Sequence, residues 1–135
     1  MEKIENPFWV FYVGDASSLE SNKCGKWMYF FDNVAFVAEL CNYAVENSIV
    51  VEAKHSNAST GVTCFYLNGD DIVGHKRVIS FFLEKGLIKK TKKGNLYNIS
   101  FKYDTQTRAG EYGEDFQSEI KLSNFVDLTT GNWIM

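Results

Sequence analysis

The sequence lacks several features that mark common classes of protein. Of its 135 residues only three are cysteines, Cys24, Cys41 and Cys64, and they show no CxxC spacing. A disulfide scaffold and a zinc site are therefore both poor interpretations, and free core thiols in a reducing cytoplasm are the better one. No apolar run approaches the ~20 residues of a membrane span, and no charged-then-apolar leader opens the chain. We expect a cytoplasmic protein that has no membrane partner.

Known catalytic motifs are also lacking. The chain has no P-loop, dinucleotide-binding glycine pattern, nucleophile elbow or HExxH motif. Two histidines without paired acids do not make a metal site, so we expect neither a metal nor a cofactor. A net charge of −3 excludes a generic nucleic-acid or membrane binder, and 45% hydrophobic residues exclude disorder. The length predicts a single domain, residues 1–135.

What the sequence does contain is a periodicity that predicts an α+β fold. Apolar residues repeat at three and four positions within 33–47 and 71–85, as in amphipathic helices. Runs of β-branched and aromatic residues predict strands, which are 8–13, 26–31, 49–55, 62–67, 96–103 and 120–126. Hairpins placed between helices favour a mainly antiparallel, curved sheet with two principal helices packed on one face and an open, concave opposite face.

Charged residues inside the predicted strands are the first candidates for a site. Lys54 and His55 end an apolar strand, where burying an unpaired cation is costly. Alternate strand residues face opposite ways, so Lys26, Lys54 and Lys102 can share the open face while His55 points away from it. Arg108, in the polar turn or short helix that follows, is a fourth cation. Converging cations would attract a dianion; the other interpretation is that these are strand-end side chains reaching for water.

Three further groups each have a structural and a functional interpretation. The lysine run at 89–93 is either a solvated basic turn or a contact with a polyanion. Tyr66 and the three tryptophans are either core residues or platforms on which a base stacks. His75 is predicted as an ordinary surface or boundary residue of the second helix.

The order of several short motifs resembles a known family. The motifs are Gly25-Lys26-Trp27-Met28, Glu52-Ala53-Lys54-His55-Ser56, Cys64-Phe65-Tyr66-Leu67, Glu84-Lys85-Gly86, Phe101-Lys102-Tyr103-Asp104 and Thr107-Arg108-Ala109-Gly110. Over roughly residues 25–113 this order resembles the basophilic-leukemia-expressed-protein family of uncharacterised domains, and more distantly the bacterial phosphothreonine lyase effectors. The resemblance implies the fold of the cap-binding translation initiation factor.

The more distant resemblance implies a chemistry as well. In the effectors, phosphate leaves phosphothreonine by β-elimination, with a lysine as base, a histidine as acid and cations that hold the phosphate. The positions that match the base and the phosphate contacts are Lys54 and then Lys26, Lys102 and Arg108. Met28 stands where the acid would be, and a thioether cannot donate a proton. Binding is therefore a safer inference than turnover.

We predict that the protein binds a phosphorylated ligand, either a phosphopeptide or a nucleotide, on the open sheet face. The predicted ligand contacts are Lys26, Lys54, Lys102, Arg108 and Tyr66. One alternative is a carbon–oxygen lyase acting on phosphothreonine or phosphoserine, with Lys54 and His55 as its catalytic residues. Another is a non-catalytic protein that binds a protein partner, of bacterial, phage or mobile-element origin. The sequence leaves the ligand's identity and the oligomeric state open.

Overall fold

A six-stranded antiparallel sheet carries two α-helices on one of its faces. The computed structural model describes residues 1–105 and 120–135. Its elements in chain order are β1 (Glu2–Glu5), β2 (Trp9–Val13), β3 (Cys24–Phe31), α1 (Val34–Glu46), β4 (Glu52–Ser56), β5 (Gly61–Asn68), α2 (Ile72–Glu84) and β6 (Lys102–Tyr103). Short 3-10 turns lie at Ala16–Ser18 and Leu122–Asn124.

The strands are arranged in the order β1-β2-β4-β5-β3-β6, and each neighbouring pair is antiparallel. The pairing of β3 with β5 is the longest, running from Cys24 opposite Asn68 to Phe31 opposite Gly61. The sheet does not close, so β1 and β6 are its outer strands. The predicted α+β class, with an antiparallel sheet and helices packed on it, is confirmed.

Alternation along the strands gives the sheet a helix face and an open face. Helix-face side chains such as Trp27 and Phe65 are fully buried and belong to one core cluster with the inner stripes of both helices. The helix residues of that cluster include Val37, Cys41 and Val78. The intervening strand residues point to the opposite face, on which neither α1 nor α2 packs and which we call the open face. Side chains on this face differ in exposure: Lys54 is partly exposed, whereas Lys26, Cys64 and Tyr66 are buried.

Each helix begins with a side chain that caps its first turn. The Asn33 side chain accepts a hydrogen bond from Phe36 N at 3.2 Å, and the Asp71 side chain accepts one from Gly74 N at 2.8 Å. These contacts satisfy amide groups that the first helical turn leaves without a partner. Within residues 1–105 and 120–135, no helix combines the length and the apolar character needed to cross a membrane.

Several strand predictions are wrong. Residues 49–51 lie in the connection before β4, after a turn in which Ser48 adopts a φ of 56°. The segment 96–103 alternates cleanly, yet only isolated bridges and the two-residue β6 form there, and 120–126 holds single bridges and a 3-10 turn. β1 was not predicted, because Glu2–Glu5 is exposed throughout and its four residues give too short a pattern.

Candidate functional site

Two rows of side chains cross the middle of the open face. The first row, on β4, β5, β3 and β6, consists of Glu52, Tyr66, Lys26 and Lys102. The second row, on β4, β5 and β3, consists of Lys54, Cys64 and Met28. Three of the four predicted cations, Lys26, Lys54 and Lys102, therefore lie on the same face. We call these three residues the lysine group.

The lysine group surrounds the centre of the face. Lys26 and Lys102 are direct partners across β3 and β6, so their Cα atoms lie about 5 Å apart. Lys54 lies two strands and two residues away from Lys26, or about 12 Å between Cα atoms at ordinary strand spacing. Burial raises the pKa of the central Cys64 thiol, and the charges of Lys54 and Lys26 oppose that rise. Both ammonium groups thus act on one point of the face.

Aromatic rings hold the Lys54 ammonium. Its Nζ lies 3.7 Å from the centroid of the Trp9 ring, 5.6 Å from that of Phe11 and 5.9 Å from that of Tyr66. Phe11 is the β2 partner of Lys54, and Trp9, two residues before Phe11, lies on the same face. Cation–π contacts of this kind contribute about 0.5–2 kcal/mol and stabilise the charged ammonium. They explain how a cation is accommodated in the centre of a largely apolar sheet.

Lys26 is paired with a carboxylate that the prediction did not include. Its Nζ lies 2.6 Å from Asp104 Oδ1, and Lys26 as a whole is only 8% exposed. Burial lowers the pKa of Lys102, and repulsion from the neighbouring Lys26 lowers it further. An anion that reached Lys26 would compete with Asp104, whereas one lying between the two lysines would reduce their repulsion.

Glu52 and Tyr66 complete the first row. Burial raises the pKa of Glu52, Lys54 opposes this effect, and Asp104 adds to it. Burial also raises the pKa of Tyr66 above its ordinary value, so its phenol keeps its proton at neutral pH and can donate a hydrogen bond. Among the described residues, the three ammonium groups of the lysine group share this part of the open face with the carboxylates of Glu52 and Asp104.

His55 is not brought to the lysine group. It lies on the helix face and is 3% exposed, with its Nε2 3.2 Å from the Tyr12 hydroxyl and its Nδ1 2.9 Å from the Ser56 carbonyl oxygen. The alternation of side chains along the strand predicted that His55 and Lys54 point to opposite faces of the sheet. In this geometry His55 contacts core groups and cannot reach a substrate held by Lys54.

His75 is a core residue, and the prediction of a surface or boundary position is wrong. It is fully buried, accepts a hydrogen bond from Trp27 Nε1 on its Nδ1 at 3.0 Å and places its Nε2 2.8 Å from the Gly69 carbonyl oxygen. Since Nδ1 accepts, the ring proton is on Nε2 and is donated to Gly69. The spacing of His75 to Val78 and Ile79, three and four residues on, was the signal that it belongs to the buried stripe.

Two positions that the sequence analysis singled out remain, Met28 and Arg108. Met28 lies on the open face, in the same row as Lys54 and Cys64, so its thioether occupies the place that the resemblance assigns to the acid. Arg108 lies outside the described residues. In residues 1–105 and 120–135, no group of three or more His, Cys, Asp or Glu side chains could hold a metal ion.

Sequence reasoning missed the two carboxylates of the site. Glu52 precedes Lys54 by two residues, so strand periodicity places it on the face of Lys54, and that spacing was a usable signal. Asp104 follows β6, which ends at Tyr103, so strand periodicity does not place it. The pairing of Asp104 with Lys26 joins positions 78 residues apart, and no local pattern indicates it.

The chain matches no protein-family model, no curated protein and no solved structure. The resemblance to the basophilic-leukemia-expressed-protein family and to the lyase effectors therefore stays a prediction. The geometry of the lysine group does not depend on that resemblance, because the strand register alone fixes it.

Proposed function

We propose that the open face binds the phosphate group of a phosphorylated ligand, a phosphopeptide or a nucleotide, through the lysine group. The observation that supports this most is the register, which gives one face a lysine from each of β3, β4 and β6. These three ammonium groups lie on one face of a chain whose net charge is −3. A local cationic site on an acidic protein favours a specific anion over polyanions in general.

The energetics of the first row favour a doubly charged group. A phosphate monoester carries about −1.5 to −2 charges at neutral pH, more than the single charge of Asp104. It can therefore displace that carboxylate from Lys26 and also reduce the repulsion that Lys26 exerts on Lys102. Hydrogen bonds to charged groups contribute about 1.5–3 kcal/mol each, so two or three of them give a measurable affinity. The Tyr66 hydroxyl is a further donor, and Arg108 stays a predicted contact.

The binding test uses defined probes in matched pairs. These are a phosphothreonine peptide with its unphosphorylated form, and adenosine monophosphate with adenosine. The proposal requires at least one phosphorylated probe to raise Tm while its partner does not, because a ligand of the native state stabilises it. Which pair responds distinguishes a phosphopeptide from a nucleotide. If neither phosphorylated probe raises Tm, an interaction protein without a phosphate site becomes the better hypothesis.

Two lysine variants locate the site. Lys54→Gln should weaken binding of the responding probe by about tenfold or more, since one charge-assisted contact is lost. Lys85→Gln is the matched control, because the Nζ of Lys85 also lies over an aromatic ring, 4.6 Å from the centroid of Tyr43, but this contact joins the two helices. Equal weakening by both variants would contradict binding on the open face.

The same phosphopeptide tests the lyase alternative. β-Elimination would remove the α-proton and the phosphate, form a carbon–carbon double bond and lower the peptide's mass. We expect the mass to stay unchanged, because Met28 cannot supply a proton and His55 lies on the other face. A loss of phosphate that disappears in Lys54→Gln would establish the lyase and replace simple binding.

A further inference from the structure

A second cavity lies on the helix side of the sheet, at the C-terminal end of α2. Its volume is about 350 Å³, which is within the range of sites that hold small molecules. Its apolar walls are formed by Phe82, Leu83, Ile88 and Leu96. We call this cavity the end pocket. It shares no residue with the lysine group.

Three glycines form much of the rim of the end pocket. Gly86, Gly94 and Gly131 have φ values of 67°, 85° and 75°, a left-handed conformation that side chains other than glycine rarely adopt. A Cβ atom at Gly86 or Gly94 would meet nothing within 4 Å, so close packing is not what favours glycine there. The turns need the backbone conformation, and they leave this part of the rim without side chains. An elongated ligand can therefore enter the pocket.

The polar groups of the end pocket suit an anion. Lys90, Thr129 and Thr130 line it, and among residues 1–105 and 120–135 no acidic side chain does. The Thr130 Oγ1 accepts a hydrogen bond from Asn132 N, which leaves the hydroxyl proton to be donated. The nearby Asp127 is directed into its own turn, where its Oδ1 accepts hydrogen bonds from the amides of Thr129 and Thr130.

Lysines are the charged residues of the chain segment that forms much of the end pocket. The segment 85–102 contains six lysines and no acidic residue, although the whole chain carries a net charge of −3. Only Lys90 of this run lines the pocket, so a ligand inside it meets one ammonium group and an otherwise apolar or hydroxyl-bearing wall. This combination matches one negative charge attached to an apolar body better than it matches a phosphate dianion.

We propose that the end pocket binds a small organic carboxylate with an apolar tail. The tail lies against Phe82, Ile88 and Leu96, and the carboxylate accepts hydrogen bonds from the Lys90 ammonium and a threonine hydroxyl at the rim. The proposal does not depend on the phosphate site, because the two sites lie on opposite faces of the sheet. Its failure and the failure of the proposed function are thus separate outcomes.

Octanoate and 1-octanol are the matched probes, since they share an alkyl chain and differ in charge. Titration of the ¹⁵N-labelled protein with octanoate should give saturable shifts of the backbone amide signals of Gly86, Gly94 and Gly131. Octanol should bind with an affinity lower by about tenfold or more, because it cannot form the charged contact with Lys90. Equal affinity for the two probes, or no saturable shift of these three signals, would overturn the proposal.

Three variants test the assignment of residues. Lys90→Gln should weaken octanoate binding by about tenfold and leave octanol binding unchanged. Lys89→Gln is the matched control from the same lysine run, and it should bind octanoate as the natural protein does. Thr129→Trp should fill the mouth and abolish binding of both probes while the amide spectrum stays dispersed. If Lys89→Gln weakens octanoate binding as much as Lys90→Gln, the lysine run attracts anions in general and the pocket assignment is wrong.

Discussion

Acidification should destabilise the protein through His75, the fully buried histidine of α2. The ring accepts a hydrogen bond from Trp27 and donates one to Gly69, so both nitrogens are used by the neutral form. Burial lowers the pKa of His75 below its ordinary value of 6.5. Between 6.5 and the lower folded-state pKa, the unfolded chain binds a proton that the folded chain does not. The stabilising contribution is therefore complete above the unfolded-state pKa and is lost as the pH falls through the folded-state pKa.

The size of the effect follows from proton linkage. One proton bound only by the unfolded state lowers the free energy of unfolding by at most about 1.4 kcal/mol for each pH unit in that window. Small domains have about 5–15 kcal/mol of stability in total, so a window of one unit already shifts a denaturation midpoint measurably. Below the folded-state pKa both states carry the proton and the contribution becomes constant.

Urea unfolding from about pH 5 to about pH 8 measures this contribution. His75→Gln is the comparison variant, because a glutamine amide can accept from Trp27 and donate to Gly69 but does not titrate. The free energy of unfolding of the natural protein minus that of the variant should be constant at the upper end of this pH range and should fall as the pH is lowered. A constant difference over the whole range, or one that grows toward acid, would refute the linkage to His75, whatever the offset between the two proteins.

Glu52 provides a contrast of opposite sign. Burial raises the pKa of this carboxyl above its ordinary value of 4.5, so the folded state holds the proton more tightly than the unfolded state does. Its contribution is present at low pH and is lost as the pH rises through the folded-state pKa. The free energy of unfolding of the natural protein minus that of Glu52→Gln should therefore fall as the pH rises. The same slope for both variants would point to a general effect of net charge.

Packing, capping and thiol burial give three more expected outcomes. Gly25→Ala should lower the free energy of unfolding by roughly 1–3 kcal/mol. A Cβ atom there would lie 2.5 Å from a backbone carbonyl oxygen of β6 and 2.6 Å from the Phe101 ring. An unchanged urea midpoint would contradict this close approach. Asn33→Ala should cost about 1 kcal/mol in the same assay by removing the cap of α1, whereas Asn33→Asp should keep most of the stability. All three cysteine thiols are buried, and burial raises the pKa of each, to about 12 for Cys41. Ellman's reagent should therefore label them only after urea is added. Fast labelling of the native protein would show instead that they are accessible.

The elements that periodicity located are those in which burial of one side imposes a pattern on the sequence. Both helices fall within a residue or two of the predicted limits, and β5 does so as well. The same alternation separated Lys54 from His55 and allowed three lysines to share one face, because a strand has only two faces. These conclusions needed no knowledge of which strands are neighbours.

What the sequence could not give is the pairing of distant strands. β6 consists of two residues beside β3, and its backbone approaches Gly25 so closely that only a residue without a side chain fits. The clean alternation of 96–103 predicted a full strand, but ladder hydrogen bonds require a partner along the whole length, and only isolated bridges form around it. Asp104 reaches Lys26 through that same β3–β6 pairing, so the neutralising carboxylate was beyond local reasoning.

Lys54 shows how one side chain can belong both to a stable sheet and to a binding site. In the structure the Lys54 ammonium lies over the Trp9 ring, and this cation–π contact contributes about 0.5–2 kcal/mol. A hydrogen bond from the same ammonium to a phosphate contributes about 1.5–3 kcal/mol, which is enough to draw the side chain from the ring. An apolar residue at position 54 would leave the face without this contact. An aromatic contact of moderate strength therefore suits a lysine that must be ordered without a ligand and still exchange its partner when an anion arrives.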